Sequence, residues 1–323
     1  MILGGDVGGT KALVALAEDD GTFVRDAIYH CADYPSLEAV IDAFLGGTRV
    51  ALRGASFGVA GPVIGGVAKI TNLPWMISEA ALSARLGAPV RLLNDLQATA
   101  LGALAIPPAS WHVLQDGSVA PGATIAVIAP GTGLGEALLV FDGVRYMALP
   151  SEGGHADFAP GNDEEVELWR FLRAKYGSHI SYERVLSGNG LGDVYSFCRA
   201  RSGVAEPPWL AAEIAAGDRN AVVATVALSG KDPACTRALE MFVAVLGAEA
   251  GNLALRGLAV GGVVVGGGIP PKILPALAQP GFLARFNDKG RFTTWTRALS
   301  VRVSLEPKAA LYGAVHDVVS RGH

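Results

Sequence analysis

Apolar residues along the chain fall into short runs separated by glycine turns and amphipathic segments. Runs at 2–5 and 12–17, a turn at 19–21 and the segment 22–28 predict an N-terminal strand followed by a hairpin. Leucine, valine, isoleucine and phenylalanine at 37, 40, 41 and 44 predict a helix over 35–45. The N-terminal region therefore mixes strands and helices.

The same alternation continues further along the chain. Residues 55–60 predict a buried strand, and 90–93 predict a strand that leads through Asn94 and Asp95 into a helix over 96–106. The segment 107–110, Pro-Pro-Ala-Ser, is a candidate boundary between domains.

A second unit with a similar beginning follows this boundary. Residues 123–129 predict a strand, 130–135 a glycine loop and 136–141 a returning strand. The remaining elements are helices over 164–176, 234–255 and 309–319 and a buried strand over 263–265; Asp232 and Pro233 mark the start of the second of these helices. The pattern predicts an α/β protein.

Length and glycine content refine this prediction. A chain of 323 residues is typical of two domains. Its 42 glycines make up about 13% of the residues, against a usual ~7%. They show no collagen period and cluster at the ends of apolar runs, which indicates loops where backbone approaches another group closely.

Charge, hydropathy and cysteine content exclude several classes. Thirty acidic residues outnumber 26 basic ones and no basic block occurs, so we expect no nucleic-acid partner. Mean hydropathy is high at +0.36. The apolar stretch 258–269 contains five glycines and is too short to span a bilayer, and the N-terminus lacks a signal peptide, so we expect no membrane association. Three isolated cysteines are typical of a reducing cytoplasm.

Three glycine loops are candidates for contact with phosphate or nucleotide. They cover residues 4–11 (GGDVGGTK), 130–135 (PGTGLG) and 266–268 (GGG). Glycines let backbone N–H groups approach a phosphate, and Asp6 could hold Mg²⁺ through water. Tight turns and close helix–sheet packing are the structural alternatives.

Polar side chains outside these three loops are candidates for catalysis and sugar binding. Asn94 and Asp95 would either cap a helix or supply a general base. Glu152, His155 and Glu183 match the donors and acceptors of sugar hydroxyls. A metal site formed by Glu152, His155 and Asp157 is an alternative that lacks a second histidine or a cysteine nearby. His155 as a structural histidine and Glu183 as a solvated helix residue are the others.

In this order, the motifs resemble the bacterial glucokinase family of the hexokinase and actin-like ATPase group, which is related to the ROK sugar kinases. The resemblance covers nearly the whole chain. Its segments are GGDVGGTK (4–11), DYPSLEAVI (33–41), TNLPW (71–75), LLNDLQA (92–98), APGTGLG (129–135), LPSEGGHADFAP (149–160), ERVLSGNGL (183–191), GNLAL (251–255), GGVVVGGGIP (261–270) and FNDKGRF (286–292).

The resemblance implies two ribonuclease-H-like α/β domains with mixed sheets and a cleft between them. Residues 1–106 with 306–323 would form the small domain, and 107–305 the large one. It also implies cytoplasmic, ATP- and Mg²⁺-dependent phosphorylation of D-glucose to glucose 6-phosphate, feeding glycolysis. We expect domain closure to exclude water, and we expect a homodimer.

The resemblance assigns roles to individual residues. Asp95 matches the catalytic base, and it matches the glucose-binding positions together with Asn94, Glu152, His155 and Glu183; Asn72 would line the sugar cleft. The nucleotide-binding residues would be Gly4, Gly5, Asp6, Val7, Gly8, Gly9, Thr10, Lys11, Gly131, Thr132, Gly133, Gly266, Gly267 and Gly268.

The chain departs from the family pattern at a few positions. Lys11 stands where the family often has Asn, as in the ROK relatives, but the ROK cysteine motif is missing after His155, so we expect no zinc. Glu136 lies just beyond the second phosphate loop and has no assigned role.

Other functions remain open from the sequence. They are a kinase for fructose, mannose or an N-acyl hexosamine, a non-catalytic sugar sensor, and an actin-like structural ATPase. The sensor would usually carry a DNA-binding extension, and the structural ATPase does not explain Glu152, His155 and Glu183.

Overall fold

A computed structural model describes residues 1–48, 50–70 and 73–322. The strands in these ranges are β1 (Ile2–Val7), β2 (Lys11–Ala17), β3 (Phe23–His30), β4 (Gly54–Val59), β5 (Val63–Ile64), β6 (Val67–Lys69), β7 (Met76–Ser78), β8 (Val90–Asn94), β9 (Trp111–Gln115), β10 (Ile125–Pro130), β11 (Leu134–Phe141), β12 (Tyr146–Leu149), β13 (Val263–Val265) and β14 (Val301–Ser304).

The helices in the same ranges are α1 (Leu37–Leu45), α2 (Glu79–Leu86), α3 (Asp95–Gly102), α4 (Asp163–Tyr176), α5 (Gly188–Ser202), α6 (Pro208–Ala216), α7 (Arg219–Ser229), α8 (Pro233–Gly257), α9 (Leu274–Leu277), α10 (Pro280–Asn287), α11 (Thr293–Arg297) and α12 (Ala309–Arg321). Mixed parallel and antiparallel pairing occurs in two sheets, so the predicted α/β class is confirmed.

The chain divides into two compact units. Unit 1 consists of residues 1–110, 137–150 and 306–323, and unit 2 of residues 111–136 and 151–305. The chain passes from unit 2 to unit 1 within β11. The segment 137–150 therefore belongs to unit 1, whereas the sequence analysis places it in the large domain; the predicted domain limits stay a prediction.

Unit 1 is built on a five-stranded sheet with the order β3-β2-β1-β4-β8. The hairpin pairs β1–β2 and β2–β3 are antiparallel, as the N-terminal pattern predicts, and β1, β4 and β8 run parallel. Fully buried Phe57, Leu37 and Ile41 belong to one core cluster of this unit. A small antiparallel sheet, β5-β6-β7, was not predicted.

Two helices of unit 1 approach each other through glycines. A Cβ added at Gly313 of α12 would overlap the backbone of Ala98 and Gly102 in α3, and one at Gly102 would overlap Ala309. A Cβ at Gly58 of β4 would lie 2.6 Å from the Cβ of Ala98. Side chains are therefore excluded where α3 packs between β4 and α12.

Unit 2 contains a sheet in which β13 lies between β10 and β14. The pairs β10–β13 and β13–β14 are parallel, and β9 joins β14 antiparallel. The predicted helices over 164–176 and 234–255 are confirmed as α4 and α8, with Asp232 capping α8 through the backbone N of Cys235 at 2.9 Å.

Helix α8 also bears on the membrane question. By length and composition this helix, and not the stretch 258–269, is long and apolar enough to cross a bilayer. However, 72% of its apolar window is buried inside the protein, which is typical of a core helix.

Helices α5 to α7 were missed in the sequence analysis. Glycines at 188, 190 and 192 lower the helix propensity of the first turns of α5. A Cβ at Gly190 would meet the backbone of Val185, and one at Gly192 would meet the side chain of Asn220. Packing therefore favours glycine here and overrides propensity.

The close approach of α3 and α12 predicts a stability effect. Replacing Gly313 by Ala should lower the free energy of unfolding by about 1–3 kcal/mol, because the methyl group overpacks the helix crossing. Gly281→Ala in α10 is the control, since its Cβ would meet nothing within 4 Å, and it should raise stability by up to about 1 kcal/mol. Urea unfolding measures both; equal stability of the two variants would contradict this packing account.

Candidate active site

Two aspartates of unit 1 lie at the same edge of its sheet. Asp6 is the second-last residue of β1, and Asp95 begins α3 directly after β8. Strand β4 separates these parallel strands and pairs Gly58 with Asp6 and Val59 with Asn94. Because parallel strands end at a common edge, their register brings the two carboxylates to one region.

The pKa of Asp6 is raised above its ordinary value of 3.8. Burial, followed by the negative charge of Asp95, raises the pKa of Asp6 to about 6. The two carboxylates therefore interact electrostatically and create a region that favours a cation. The described residues include no group of three or more His, Cys, Asp or Glu side chains arranged to hold a metal directly. This donor set fits a Mg²⁺ that keeps most of its waters.

Asn94 and Asp95 both interact with the start of α3. Asn94 Oδ1 accepts a hydrogen bond from the backbone N of Gln97 at 2.6 Å, and Gln97 Oε1 accepts one from the backbone N of Asn94 at 3.2 Å. The capping alternative is therefore realised for Asn94. Asp95 is exposed, and its Oδ1 accepts from the backbone N of Leu96 at 2.8 Å, which orients the carboxylate.

The first glycine segment has two parts. Gly4 and Gly5 lie within β1, where a Cβ would overlap Val315 and Phe57 respectively, so packing explains these two glycines. Beyond Val7, the turn is closed by a hydrogen bond from the backbone N of Gly8 to the carbonyl of Lys11 at 2.9 Å. Gly9, Thr10 and Lys11 complete this turn, and the last two are exposed.

The other two glycine loops are neighbours in unit 2. Parallel pairing of Ile128 with Val265 brings the ends of β10 and β13 together. A Cβ at Gly267, which has φ of +85°, would meet the carbonyl of Pro130 at 2.5 Å, whereas one at Gly131 or Gly268 would meet nothing within 4 Å. Close packing and a positive φ therefore require glycine at position 267. At Gly131 and Gly268, the absence of a side chain leaves the backbone accessible to a ligand. Gly266 donates from its backbone N to the carbonyl of Ile128 at 2.8 Å.

A cavity of about 370 Å³ lies beside these loops. Its lining includes residues from both loops, from the start of α5, from α7 and from the turn after β13. They are Gly131, Thr132, Gly188, Asn189, Leu191, Asp218, Asn220, Ala221, Ala224, Gly268, Ile269, Lys272 and Ile273. A role for the polar residues Asn189, Asp218, Asn220 and Lys272 was not predicted from the sequence, because no motif connects them along the chain.

The N-terminus of α5 contributes to this cavity. Ser187 caps the helix by accepting from the backbone N of Gly190 at 3.1 Å, and Gly188 donates to the carbonyl of Gly131 at 2.9 Å. The positive end of the 15-residue helix therefore lies next to the second glycine loop. Such an arrangement, with an apolar wall from Ala221, Ala224 and Ile273, suits an anionic ligand that carries a flat apolar group.

The predicted sugar-binding residues of unit 2 lie on two short 3₁₀ turns, residues 153–155 and 182–184. Glu152 and His155 are largely exposed, and Glu152 Oε2 lies 3.9 Å from His155 Nε2. Glu183 is not a solvated helix residue, because its Oε2 accepts from the backbone N of Leu134 at 3.0 Å. It thus connects the sugar-side turn to the second glycine loop.

Asp157 has a partner that the sequence analysis missed. Its Oδ1 lies 2.9 Å from His179 Nδ1, and His179 Nε2 lies 2.8 Å from the carbonyl oxygen of His155. Asp157 is thus paired with His179 rather than grouped with Glu152 and His155. Asn72 lies outside the described residues.

Two solved structures with the same fold are glucokinases. The crystal structure of a glucokinase from an Antarctic psychrotroph has a TM-score of 0.86 at 30% identity and covers 98% of both chains. A ROK family glucokinase from Streptomyces griseus, solved with glucose and AMPPNP, has a TM-score of 0.63 at 21% identity, covers 97% of both chains, and shows likeness of fold.

Comparison with related sequences shows the family to which the chain belongs. The glucokinase family model matches residues 3–320. A glucokinase from Nostoc punctiforme is 39% identical over 332 aligned residues, which cover 97% of this chain and 97% of that relative. The chain therefore belongs to the glucokinase family. The predicted family, its actin-like ATPase fold and its activity, phosphorylation of glucose, are confirmed.

The Asp6–Asp95 interaction makes a prediction for titration. Asp95→Asn removes the neighbouring negative charge, so the pKa of Asp6 should fall from about 6 but stay above its ordinary value of 3.8, since burial is the larger cause. ¹³C NMR of the Asp6 carboxyl carbon measures this pKa. An unchanged value in Asp95→Asn would show that the two carboxylates do not interact.

Proposed function

We propose that this chain transfers the γ-phosphoryl group of ATP directly to the 6-hydroxyl of D-glucose, with Asp95 as general base. The observation that carries the proposal is the exposed Asp95 carboxylate, oriented by the backbone N of Leu96 at the sheet edge that also holds Asp6. A carboxylate in this environment can accept a hydroxyl proton while the neighbouring region favours a cation.

The proposed glucose ligands are six polar residues: Asn72, Asn94, Asp95, Glu152, His155 and Glu183. Glucose hydroxyls each donate and accept, so a set of carboxylates, an amide and an imidazole can pair all of them. Leaving these groups unpaired with a deoxy sugar would be costly, which supplies selectivity for the sugar. Glucose bound to the ROK glucokinase from Streptomyces griseus supports the ligand class.

The cavity of unit 2 is the proposed nucleotide site. The backbone of Gly131 to Gly133 and the N-terminus of α5 would face the phosphates, and Ala221, Ala224 and Ile273 would contact the base. Gly266 to Gly268 would lie against the ribose. AMPPNP in the same ROK relative supports ATP as the donor. The end of β1 and the turn that follows it would contact the transferred phosphate; the residues are Gly4, Gly5, Asp6, Val7, Gly8, Gly9, Thr10 and Lys11. Packing is the direct reason for glycine at positions 4 and 5.

Asp6 would hold Mg²⁺ through water. The metal, when bound, would neutralise charge on the phosphates. Because the pKa of Asp6 is raised to about 6, its carboxylate is ionised at pH 7 and becomes protonated as the pH falls through 6. Cation binding should weaken over the same range.

The chemical step needs little from the protein beyond position and charge. Asp95 holds the 6-hydroxyl and accepts its proton as the oxygen attacks the γ-phosphorus in line with the leaving ADP oxygen. The hydrogen bond from the backbone N of Leu96 orients the carboxylate for this role.

The setting proposed for this activity is a cytoplasmic homodimer that supplies glucose 6-phosphate to glycolysis. Cys31, Cys198 and Cys235 are buried free thiols, in agreement with a reducing compartment. Fructose, mannose and N-acyl hexosamines are the competing substrates that a hexose panel would test.

Asp95→Asn tests the proposed base. The amide keeps a hydrogen bond to the sugar but cannot take its proton, so turnover should fall by ~10²-fold or more while glucose binding stays measurable. A coupled assay gives turnover, and calorimetry gives glucose affinity. Asp33→Asn, an exposed aspartate of the same unit, is the matched control and should keep normal turnover. Near-normal turnover in Asp95→Asn would refute the assignment.

A further inference from the structure

Glu136 is a buried carboxyl group that the proposed reaction does not use. It follows Leu134 by two positions in β11, so both side chains point to the same face, and it is 1% exposed. Neither of its side-chain oxygens has a hydrogen-bond partner among the described residues. A buried, unpaired carboxylate would be very unfavourable, so the protonation state of Glu136 matters.

A second buried carboxylate and one cation lie beside Glu136. Glu249 of α8 is fully buried and accepts from Arg256 at 2.6 Å and from Asn252 Nδ2 at 2.9 Å. Arg256 is 3.8 Å from Glu136 Oε2. The single guanidinium thus makes its close contact with Glu249, which leaves Glu136 as the less compensated of the two acids.

The remaining polar groups facing this cluster are engaged elsewhere. Lys289 donates to the carbonyl of Ala248 and to Asn252 Oδ1, both at 2.8 Å. Asn252 also donates to the hydroxyl of Tyr182 at 3.2 Å, and burial together with Glu249 raises the pKa of Tyr182, which keeps it neutral. Tyr182 therefore supplies no charge that would compensate an ionised Glu136, and the ammonium group of Lys289 is held at Ala248 and Asn252, where its attraction within this cluster is to Glu249.

The turn that carries the proposed sugar ligands packs directly on Glu136. A Cβ added at Gly153 would overlap Glu136 Oε2, and one at Gly154 would overlap the carbonyl of Leu134. Gly153 lies between Glu152 and His155 and begins the 3₁₀ turn 153–155. The carboxyl group of Glu136 therefore supports the backbone from which both sugar ligands extend.

We propose that Glu136 is a positioning residue for glucose binding, whose protonated carboxyl supports the Gly153 turn and whose ionisation displaces that turn. The proposal rests on the proposed function, because it takes Glu152 and His155 as glucose ligands. Losing the proton to solvent places a second negative charge beside Glu249, and that charge is relieved when the turn moves and water reaches the carboxylate.

The acidity of Glu136 agrees with this role. Burial and the Glu249 carboxylate raise its pKa from the ordinary 4.5 to about 8, with Arg256 opposing them. The folded protein therefore retains the proton at pH 7 and releases it near pH 8. Because the folded protein binds this proton more tightly than the unfolded chain does, its contribution to the free energy of unfolding is lost as the pH rises from 4.5 to about 8. Stability and glucose binding should therefore both be weaker at alkaline pH than at pH 7.

Calorimetric titration of glucose without nucleotide, at pH 7 and pH 9, tests the proposal. If only the protonated form binds, the wild-type dissociation constant should rise roughly tenfold between these pH values. Glu136→Gln keeps the shape of the side chain but cannot ionise, so its ratio should be close to one. Glu213→Gln, an exposed glutamate on α6, is the control and should keep the wild-type ratio.

Each result of this titration has a separate meaning. A wild-type protein that binds no glucose at pH 7 would refute the proposed function and this inference with it. Glucose binding with the same pH dependence in wild type and Glu136→Gln would leave the proposed function intact and overturn the role of Glu136.

A second set of variants tests the contact itself and does not depend on pH. Gly153→Ala should weaken glucose binding at least tenfold, because the methyl group overlaps the carboxyl of Glu136. In a Glu136→Ala background the same substitution should cost much less, since the overlapping group is absent. Equal losses in the two backgrounds, with folding confirmed by circular dichroism, would also overturn the proposal.

Discussion

The position of the proposed catalytic residue, Asp95, depends on the close packing of α3 between the sheet of unit 1 and α12. This packing requires that no side chain stand at Gly58, Gly102 or Gly313. Because α3 is held there, its first residue, Asp95, lies at the sheet edge where β1 ends with Asp6 and Val7. The electrostatic influence of Asp95 on Asp6 is a direct result of this packing. These three glycines thus contribute to the site indirectly, because they allow α3 to pack in the position that its first residue requires.

In unit 2 the start of β11 has a comparable role. The backbone N of Leu134 binds Glu183, and the side chain of Glu136 lies under Gly153. The glycine loop 131–133 leads directly into this strand, so one short segment contacts the proposed nucleotide loop and both turns that carry the proposed sugar ligands. Ionisation of Glu136 would therefore change the position of the turn that carries Glu152 and His155, where glucose is proposed to bind.

Much of this arrangement was predictable from the sequence, and the reasons for the failures are physical. Alternating strands and glycine turns predicted the N-terminal hairpin and the strand over 263–265, and cap residues predicted the start of α8. The ordered motifs predicted the family. Helix α5 was missed because its glycines serve close packing with Val185 and Asn220, which a propensity scale cannot detect.

The candidate site was predictable where chemistry follows a local motif. Asn94 and Asp95 were identified from their place after a strand, but the dual use of Asn94 as a cap needed the observed bond to Gln97. Lys272, Asn189 and Asn220 come together only in the folded cavity. The partner of Asp157 is His179, 22 positions away along the chain. A role for Glu136 can be inferred only from its contacts with Gly153 and Glu249 in the folded protein.

The most direct measurement of the central claim is a product assay with ATP, Mg²⁺ and a panel of glucose, fructose, mannose and N-acetylated hexosamines. ³¹P NMR of the products identifies both the sugar and the position of the phosphate. The account predicts glucose 6-phosphate as the main product, with stoichiometric ADP. Phosphorylation of another hexose in preference to glucose, or no sugar-dependent ADP formation at all, would contradict it.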